Sequence, residues 1–186
     1  MRIIGGSRRG LKLAEVGEGD AAAHLRPTSD RVREAIFNLL INAHGNPVTG
    51  ARVLDLFAGT GALGLEALSR GATHATFVDD GAKALALIRA NVARLRAEGE
   101  TLVLKQDARR LGPNPGSGCG LVFLDPPYGK GLGEVALAAA LKGGWLVPGA
   151  TVVWEEGAGL AVPEGFCQVD QRRYGDTIVT LLRAPE

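Results

Sequence analysis

The chain has 186 residues, 46% of them hydrophobic, and a formal net charge of +1 at pH 7. This length suits one α/β domain with a full core, so residues 1–186 are expected to form a single domain. The near-neutral charge excludes a polycationic binder, and any nucleic-acid contact must come from a local basic patch. No apolar run approaches the ~20 residues needed to span a bilayer. Cys119 and Cys167 lack CxxC spacing, as expected for reduced thiols of a cytoplasmic protein.

The first segment, residues 1–25, is glycine-rich and basic. Residues 3–4 and 11–13 are short strand candidates around a turn, which predicts an N-terminal β-hairpin. The loop from Glu15 to Ala23 is expected to be mobile. The pair Arg8-Arg9 beside glycines favours a flexible phosphate-binding arm over a helix face. For each arginine alone, an ordinary solvated side chain remains the alternative.

Residues 26–186 are predicted to form the core of the domain. The segment Arg26-Pro-Thr-Ser-Asp30 ends a loop, and Thr28, Ser29 or Asp30 can cap the helix that follows. Gly45 and Pro47 end that helix. Its apolar residues recur at helical spacing and form one buried stripe of Val32, Ala35, Ile36, Leu39 and Leu40.

The rest of the chain alternates strands with helices. The pattern predicts strands at 52–57, 74–78, 101–105, 121–124 and 150–155, and helices at 63–70, 82–98 and 132–142. A closing hairpin is predicted from residues 165–173 and 176–183. This alternation favours an α/β fold with a doubly wound sheet and right-handed crossovers.

The most informative stretch is Leu121-Val-Phe-Leu-Asp-Pro-Pro-Tyr128. Its apolar half predicts a buried parallel strand, which the prolines end at Asp125. Asp125 is therefore expected at the carboxyl edge of the sheet, where open α/β folds bind ligands. The prolines stiffen the turn and fix the Asp125 carboxylate, the Pro126 carbonyl and the Tyr128 ring. Two acceptors and a flat stacking face suit a planar exocyclic amine. A strand-ending aspartate before a proline turn is the alternative.

The four residues Asp125, Pro126, Pro127 and Tyr128 resemble the catalytic motif of the amino-methyltransferases. These enzymes transfer a methyl group from S-adenosylmethionine (SAM) to exocyclic nitrogens of adenine, cytosine or guanine. The resemblance implies that these four residues form the catalytic site.

A glycine turn, Gly59-x-Gly61-x-x-Gly64, follows the first central strand. It matches the dinucleotide fingerprint, and Asp79 follows about 20 residues later, so an NAD oxidoreductase is a real competitor. Asp55 precedes the glycines, where a carboxylate opposes a pyrophosphate but attracts the ammonium and sulfonium groups of SAM. The stretch Asp55-Leu-Phe-Ala-Gly-Thr-Gly61 resembles the SAM motif of class I methyltransferases, whose glycines allow close backbone approach.

Longer segments resemble the bacterial 16S rRNA guanine-966 N2-methyltransferases, namely residues 2–6, 26–34, 55–71 and 125–128. The resemblance implies a seven-stranded, mostly parallel sheet with a terminal antiparallel hairpin. It also implies methylation of one hairpin-loop guanine of small-subunit rRNA. The expected partner is 16S rRNA within small-subunit particles, and a monomer is expected. The chain has Asp79-Asp80 where relatives often have a glutamate-containing pair, which leaves the fine geometry open.

The same resemblance assigns roles to residues. Asp79 is expected to bind the ribose hydroxyls, with Asp80 as an alternative, and Asp107 the adenine amino group. The predicted cofactor site comprises Thr28, Asp55, Phe57, Ala58, Gly59, Thr60, Gly61, Gly64, Asp79, Asp80, Asp107 and Ala108. The predicted RNA contacts are Arg8, Arg9, Lys12, Arg26 and Arg31, and no metal is expected.

Three other functions compete with this interpretation. An amino-methyltransferase acting on DNA or another RNA, at adenine N6 or cytosine N4, usually carries a recognition domain for which this chain has no room. An NAD oxidoreductase would bind NAD in place of SAM. A non-catalytic RNA-binding module would not need an intact Asp-Pro-Pro-Tyr motif.

Overall fold

The computed structural model describes residues 1–15 and 28–186. Its strands are β1 Arg52–Leu56, β2 His74–Asp79, β3 Thr101–Lys105, β4 Cys119–Leu124, β5 Leu146–Glu156, β6 Cys167–Tyr174 and β7 Thr177–Arg183. Its α-helices are α1 Asp30–Ala43, α2 Ala62–Ser69, α3 Ala82–Leu95 and α4 Leu132–Lys142. The strands form one sheet in the order β3-β2-β1-β4-β5-β7-β6. The first five strands pair in parallel, and β7 pairs antiparallel with β5 and β6. The predicted fold is confirmed.

Two element boundaries differ from the predictions by three residues or more. Helix α3 ends at Leu95 and not at Glu98, because Arg96 takes a left-handed conformation with φ of 52° and the chain turns there. Strand β5 begins at Leu146 and not at residue 150, with a register shift against β4 between Cys119 and Leu121. An irregularity of this kind bends a strand, and the periodicity of apolar residues in the sequence does not predict it.

Both faces of the sheet are covered. Along β1, Val53 packs in the same cluster as Phe37 of α1, whereas Leu54 packs with Leu137 of α4 on the other face. Because both faces of the parallel sheet are buried, successive residues of each strand are apolar, which explains the continuous apolar runs in the sequence. Burial on both sides fixes the strand register strongly, and this register positions the residues that follow each strand.

Helix α1 begins at an N-cap formed by Ser29, whose hydroxyl accepts the N–H of Val32 at 3.2 Å. Of the three predicted caps, Ser29 is therefore the one used, and the neighbouring Thr28 hydroxyl makes other contacts. The predicted stripe faces the core, where Ile36 and Leu40 are fully buried. No helix within residues 1–15 and 28–186 is long and apolar enough to cross a membrane.

The N-terminal segment forms a hairpin, as predicted, but it is docked on the domain. The Ile3 N–H donates to Leu11 O at 2.9 Å, and an isolated antiparallel bridge joins Arg2 to Lys12. Ile3 is fully buried and Leu13 nearly so. The prediction of a flexible arm is therefore wrong for these residues, because apolar side chains fasten the hairpin to the core. Residues 16–23 of the predicted mobile loop lie outside the described residues.

The turn of this hairpin lies at the amino edge of the sheet. The Arg8 N–H donates to Ser69 Oγ at 2.9 Å, at the C-terminal end of α2. The Arg8 guanidinium pairs with Glu100, which immediately precedes β3, at 3.0 Å. Because α2 runs antiparallel to the strands, its C-terminal end and the start of β3 mark the edge opposite the strand ends. The turn is therefore about one strand length from Asp125, roughly 15 to 20 Å.

Candidate active site

The sheet register brings three carboxylates to one edge. The strands β1, β2, β4 and β5 share a row of buried, paired residues, namely Leu56, Val78, Leu124 and Trp154. The residues that follow this row are Asp79 on β2, Asp125 after β4 and Glu155 on β5. Because all four strands run parallel, these acids lie side by side at the carboxyl edge, where open α/β sheets bind ligands.

The turn between β1 and α2 depends on its glycines. Gly59 and Gly61 have φ values of 59° and 77°, which favour glycine. A Cβ on Gly64 would lie 2.5 Å from the ring of Phe77, so no larger residue fits at the start of α2. Phe57 also has a positive φ of 58°, a conformation that is unfavourable for a bulky residue. Strain of this kind concentrates at ligand sites.

Asp55 lies beneath this turn and is only 2% exposed. Its Oδ2 accepts the N–H of Gly64 at 3.0 Å and so fixes the first turn of α2. Burial raises the pKa of Asp55 well above its usual value, and the charges of Asp125 and Asp79 act in the same direction, while the Gly64 bond opposes them. The predicted attraction of a cation by Asp55 remains a prediction, and the contact seen here is with the turn itself.

Asp79 accepts hydrogen bonds from two turns, one after β1 and one after β2. Its Oδ2 accepts the N–H of Gly59 and its Oδ1 the N–H of Gly81, both at 2.9 Å. Burial raises its pKa above the usual value, although these two bonds oppose the shift. Each carboxylate oxygen has a second lone pair, so Asp79 can still accept from a ligand hydroxyl. Asp80 is exposed beside it.

Asp107 already has a cationic partner, which sequence reasoning missed. The Arg109 guanidinium donates to both carboxylate oxygens, from Nη2 at 2.7 Å and from Nε at 3.0 Å. This bonding lowers the pKa of Asp107. Its carboxylate also accepts the Arg109 N–H, while the neighbouring Ala108 is buried. Any adenine amino group bound by Asp107 would share that carboxylate with Arg109.

Thr28 connects two acids from different strands. Its hydroxyl lies 3.0 Å and 3.1 Å from the two oxygens of Glu155, and 3.4 Å from Oδ2 of Asp125. Glu155 is only 2% exposed. Burial raises the pKa of Glu155 to about 7, while the bond from Thr28 opposes the shift. Thr28 was predicted to lie near the cofactor, and the structure places its hydroxyl beside Asp125 of the Asp-Pro-Pro-Tyr turn.

These side chains line a cavity of about 210 Å³. The Tyr128 hydroxyl lies 3.2 Å from Thr177 Oγ1, at the start of β7. A Cβ on Gly157 would lie 2.7 Å from the Tyr128 ring, so the ring rests against backbone on that side. The lining residues are Thr28, Ser29, Val32, Asp125, Tyr128, Glu155, Tyr174, Asp176 and Thr177.

The predicted basic residues do not form one patch. Arg31 is exposed on the first turn of α1, next to the cavity-lining Val32. Arg9 is exposed at the hairpin turn, beside Arg8, which pairs with Glu100 at the opposite edge of the sheet. Lys12 is exposed on the same hairpin, and Arg26 lies outside the described residues.

Sequence reasoning missed part of the cavity wall. Glu155 had a recognisable signal, because it ends the apolar run 150–154 just as Asp125 ends its own strand. Tyr174, Asp176 and Thr177 had none beyond a turn pattern. They reach the cavity because β7 pairs with β5, and this pairing was not predicted from the residues themselves.

Comparison with known proteins decides the family. Residues 1–183 match the family described as conserved hypothetical protein 95. The Escherichia coli protein named ribosomal RNA small subunit methyltransferase D is 42% identical over 156 residues, which cover 83% of this chain and 74% of that protein. The chain belongs to this methyltransferase family.

Two further proteins are similar to this chain over nearly its full length. The Haemophilus influenzae ribosomal RNA small subunit methyltransferase D is 34% identical over 181 residues, covering 94% of this chain and 89% of its own. A solved Escherichia coli structure of a candidate methyltransferase has a TM-score of 0.83 and 35% identity, covering 100% of this chain and 98% of that one. The predicted family and class I methyltransferase fold are confirmed, with SAM as the implied methyl donor, and the NAD oxidoreductase interpretation is set aside.

The residues present fit SAM. Burial is the main reason that the pKa values of Asp55, Asp79 and Glu155 are raised, and the negative charge of at least one neighbouring acid raises each of them further. Gathered carboxylates of this kind favour a ligand that carries positive charge, as SAM does at its ammonium and sulfonium groups. The glycine turn beside them allows a ligand to approach the backbone closely.

Proposed function

We propose that this protein transfers a methyl group from SAM to the exocyclic N2 amine of a hairpin-loop guanine, guanine-966, in 16S rRNA. The observation that carries the proposal is the cavity at the carboxyl edge, where Asp125 and Tyr128 of the Asp-Pro-Pro-Tyr turn meet Thr28 and Glu155. Relatives named for small-subunit rRNA support the choice of substrate.

The catalytic turn activates the amine. The N2 lone pair of guanine is delocalised into the ring, which makes the amine a poor nucleophile. The Asp125 carboxylate and the Pro126 carbonyl each accept one N–H, which draws the nitrogen toward tetrahedral geometry and frees its lone pair. Asp125 also stabilises the positive charge that develops on N2, and it accepts the departing proton before passing it to water.

Tyr128 provides the stacking surface for the target base. Bases read in RNA loops are turned out and stacked on aromatic side chains. The Tyr128 hydroxyl lies against Thr177 and its ring against Gly157, so the ring is held in place before a base arrives. A ring that is already ordered loses little conformational entropy on binding.

The cofactor is assigned to the glycine turn and the ends of β2 and β3. The chemistry supplied by bound SAM is a methyl group on a positively charged sulfur. Asp79 accepts the ribose hydroxyls, and Asp107 and Ala108 contact the adenine. The turn from Phe57 to Gly61, braced by Asp55 from below, faces the methionine part.

The RNA backbone is assigned to exposed cations. Arg31 is the best placed, because it lies on the first turn of α1 beside the cavity. Lys12 and Arg9 would extend the contact along the N-terminal hairpin, and Arg9 lies at the other edge of the sheet. Phosphate contacts of this type orient an RNA without reading its sequence.

Methyl transfer from labelled SAM to 16S rRNA, free and in small-subunit particles, tests the proposal. Nucleoside analysis of the product is expected to show label in N2-methylguanosine. Label in N6-methyladenosine or N4-methylcytidine would instead support an amino-methyltransferase with a different target. The form of RNA that is methylated also identifies the substrate as free or assembled.

A further inference from the structure

A second carboxylate lies beside the catalytic aspartate and has no role in the mechanism above. Glu155 lines the same cavity as Asp125 and is 2% exposed. The Thr28 hydroxyl lies 3.0 Å from Glu155 Oε1 and 3.4 Å from Asp125 Oδ2, so both carboxylates surround one donor. The single hydrogen of the Thr28 hydroxyl cannot satisfy both carboxylates, so a further donor from a ligand would be favourable at this buried site.

The bases differ in the ring position next to the exocyclic amine. In guanine, the N2 amine is flanked by N1–H, which is a hydrogen-bond donor. In adenine the N6 amine is flanked by N1, and in cytosine the N4 amine is flanked by N3, and both of these ring nitrogens are acceptors. A carboxylate facing that position accepts from guanine, whereas it opposes a lone pair on adenine or cytosine.

We propose that Glu155 selects guanine by accepting its N1–H while Asp125 and the Pro126 carbonyl accept the hydrogens of the N2 amine. This assignment rests on the proposed function and adds a residue that determines its specificity. The arrangement requires two acceptors side by side along one base edge. Asp125 and Glu155 meet this requirement, because each comes directly after one member of the pair Leu124 and Trp154 on the neighbouring strands β4 and β5.

The surroundings of Glu155 suit this task. Burial raises the pKa of Glu155 to about 7, while the Thr28 hydroxyl and the charge of Arg33 oppose this shift, so the carboxylate that can accept N1–H predominates above that pH. Arg33 also donates to Thr28 O at 3.4 Å, so Thr28 is itself positioned from below. A fixed, water-excluded acceptor discriminates strongly, because a base that cannot donate leaves a buried charge without a partner.

A target analogue tests the assignment directly. RNA with 2-aminopurine at the target position keeps the N2 amine but has a lone pair at N1 in place of N1–H. Initial rates of methyl transfer to guanine RNA and to 2-aminopurine RNA are compared in the RNA form that the wild-type protein accepts. We expect wild type to prefer guanine by roughly 10- to 100-fold, the discrimination of a good base-edge contact.

The Glu155→Gln variant should change this ratio and not merely the rates. The amide N–H of the glutamine in this variant can donate to the N1 lone pair of 2-aminopurine. The rate of transfer to guanine RNA should therefore fall, and the ratio of the guanine rate to the 2-aminopurine rate should decrease to within a few-fold of one or invert. Glu155→Asp keeps an acceptor and should keep the guanine preference at a lower rate. Glu164→Gln makes the same charge change on an exposed loop and should leave both rates unchanged.

The possible outcomes distinguish the role of Glu155 from the proposed methyl transfer itself. A ratio that is the same in wild type and Glu155→Gln, with both rates lowered together, would show that Glu155 is only structural and would overturn the assignment. Methylation of 2-aminopurine RNA by wild type as fast as guanine RNA would overturn it as well. Methylation of adenine or cytosine by the wild-type protein would overturn the proposed function itself. SAM titrations of each variant show whether the cofactor site is intact.

Discussion

The hydroxyl of Thr28 lies 3.0 Å from Oε1 of Glu155, although 127 positions separate the two residues in sequence. The same hydroxyl lies 3.4 Å from Oδ2 of Asp125. A hydroxyl has one hydrogen to donate, so it stabilises the charge on only one of these carboxylates at a time. The start of α1 therefore influences the charge of two carboxylates at strand ends. A substitution of Thr28, Asp125 or Glu155 should change the protonation or hydrogen bonding of the other two residues.

The contribution of Glu155 to the stability of the protein should fall as pH rises from about 4.5 to about 7. Burial raises the pKa of Glu155 to about 7 from an ordinary value of 4.5. Between these values the folded state keeps a proton that the unfolded state has released, so rising pH favours unfolding until the folded state also ionises. Glu155→Gln should lack this part of the pH dependence, which is worth roughly 1 to 3 kcal/mol.

Urea unfolding of wild type and Glu155→Gln at pH 5 and pH 8 provides the measurement. Asp55 and Asp79 also have raised pKa values and contribute a slope of the same sign, but they do so in both proteins. The difference between the two proteins therefore reports the titration of Glu155 together with its effect on the neighbouring Asp55. We expect the free energy of unfolding of Glu155→Gln, minus that of wild type, to be larger at pH 8 than at pH 5. Parallel pH profiles would contradict the raised pKa.

Asp125→Ala should abolish methyl transfer while leaving SAM binding nearly intact. The carboxylate is assigned to the amine in the transition state, and the loss of such a group lowers the rate constant more than cofactor affinity. Single-turnover transfer with labelled SAM gives the rate, and calorimetry gives the affinity. Transfer at a rate close to that of wild type would show that another group activates the amine.

Asp79→Ala should weaken SAM binding by roughly 1 to 3 kcal/mol, the range for losing hydrogen bonds to an ionised acceptor. The same substitution removes the acceptor for the Gly59 and Gly81 N–H groups, so the glycine turn should also loosen. Asp80→Ala is the matched control, because Asp80 is exposed and adjacent. A larger loss of affinity in the Asp80 variant would transfer the ribose role to that residue.

The sequence predicted most of the fold because its determinants are local. Continuous apolar runs predict buried parallel strands, and the prolines after Asp125 mark where the chain leaves the sheet. The glycine turn was predictable for the same reason, since positive φ values at Gly59 and Gly61 require that residue type. Parallel pairing then brings the strand ends together without further information.

Contacts between distant segments were not predictable from periodicity. Nothing in the sequence indicates that the Thr28 hydroxyl contacts Glu155, 127 positions away. The docking of the N-terminal hairpin was also missed, because a buried Ile3 and an ordinary exposed isoleucine look alike in a short glycine-rich segment. These contacts depend on which surfaces the finished sheet presents.

Arg31→Ala should weaken RNA binding and reduce its salt dependence. Each lost phosphate contact lowers the slope of log affinity against log salt by roughly 0.7 to 0.9. Arg9→Ala tests how far the RNA extends, since Arg9 lies at the opposite edge of the sheet and a change there indicates an RNA that reaches the hairpin. Arg8 is a poor choice for this test, because its substitution also breaks the Glu100 pair.

Binding measured across a salt series, with SAM titrated in parallel, distinguishes these contacts from indirect effects. SAM affinity and thermal stability should hardly change in either variant, because both arginines are exposed. A slope for Arg31→Ala equal to that of wild type would remove Arg31 from the RNA surface. A loss of SAM affinity would instead place Arg31 in the cofactor site.

Glu66 joins the N-terminal hairpin to the core. Its side chain is fully buried and accepts the N–H groups of Ile4 at 2.9 Å and Gly5 at 2.8 Å. It also forms ion pairs with Arg70 at 2.7 Å and with the buried Arg33 at 3.8 Å. One carboxylate therefore satisfies two backbone donors and balances two cations, so it should be far more important for stability than an exposed glutamate.

Glu66→Gln should reduce the free energy of unfolding by about 3 kcal/mol or more, the loss typical of breaking a buried pair by removing one partner. The amide keeps the shape of the side chain, but it leaves the buried charge of Arg33 with less compensation. Glu34→Gln, on the exposed face of α1, should change stability by less than about 0.5 kcal/mol. Urea unfolding at pH 7 compares the two variants. Equal, small losses would mean that Asp30, which lies 2.9 Å from Arg33, balances that charge without Glu66.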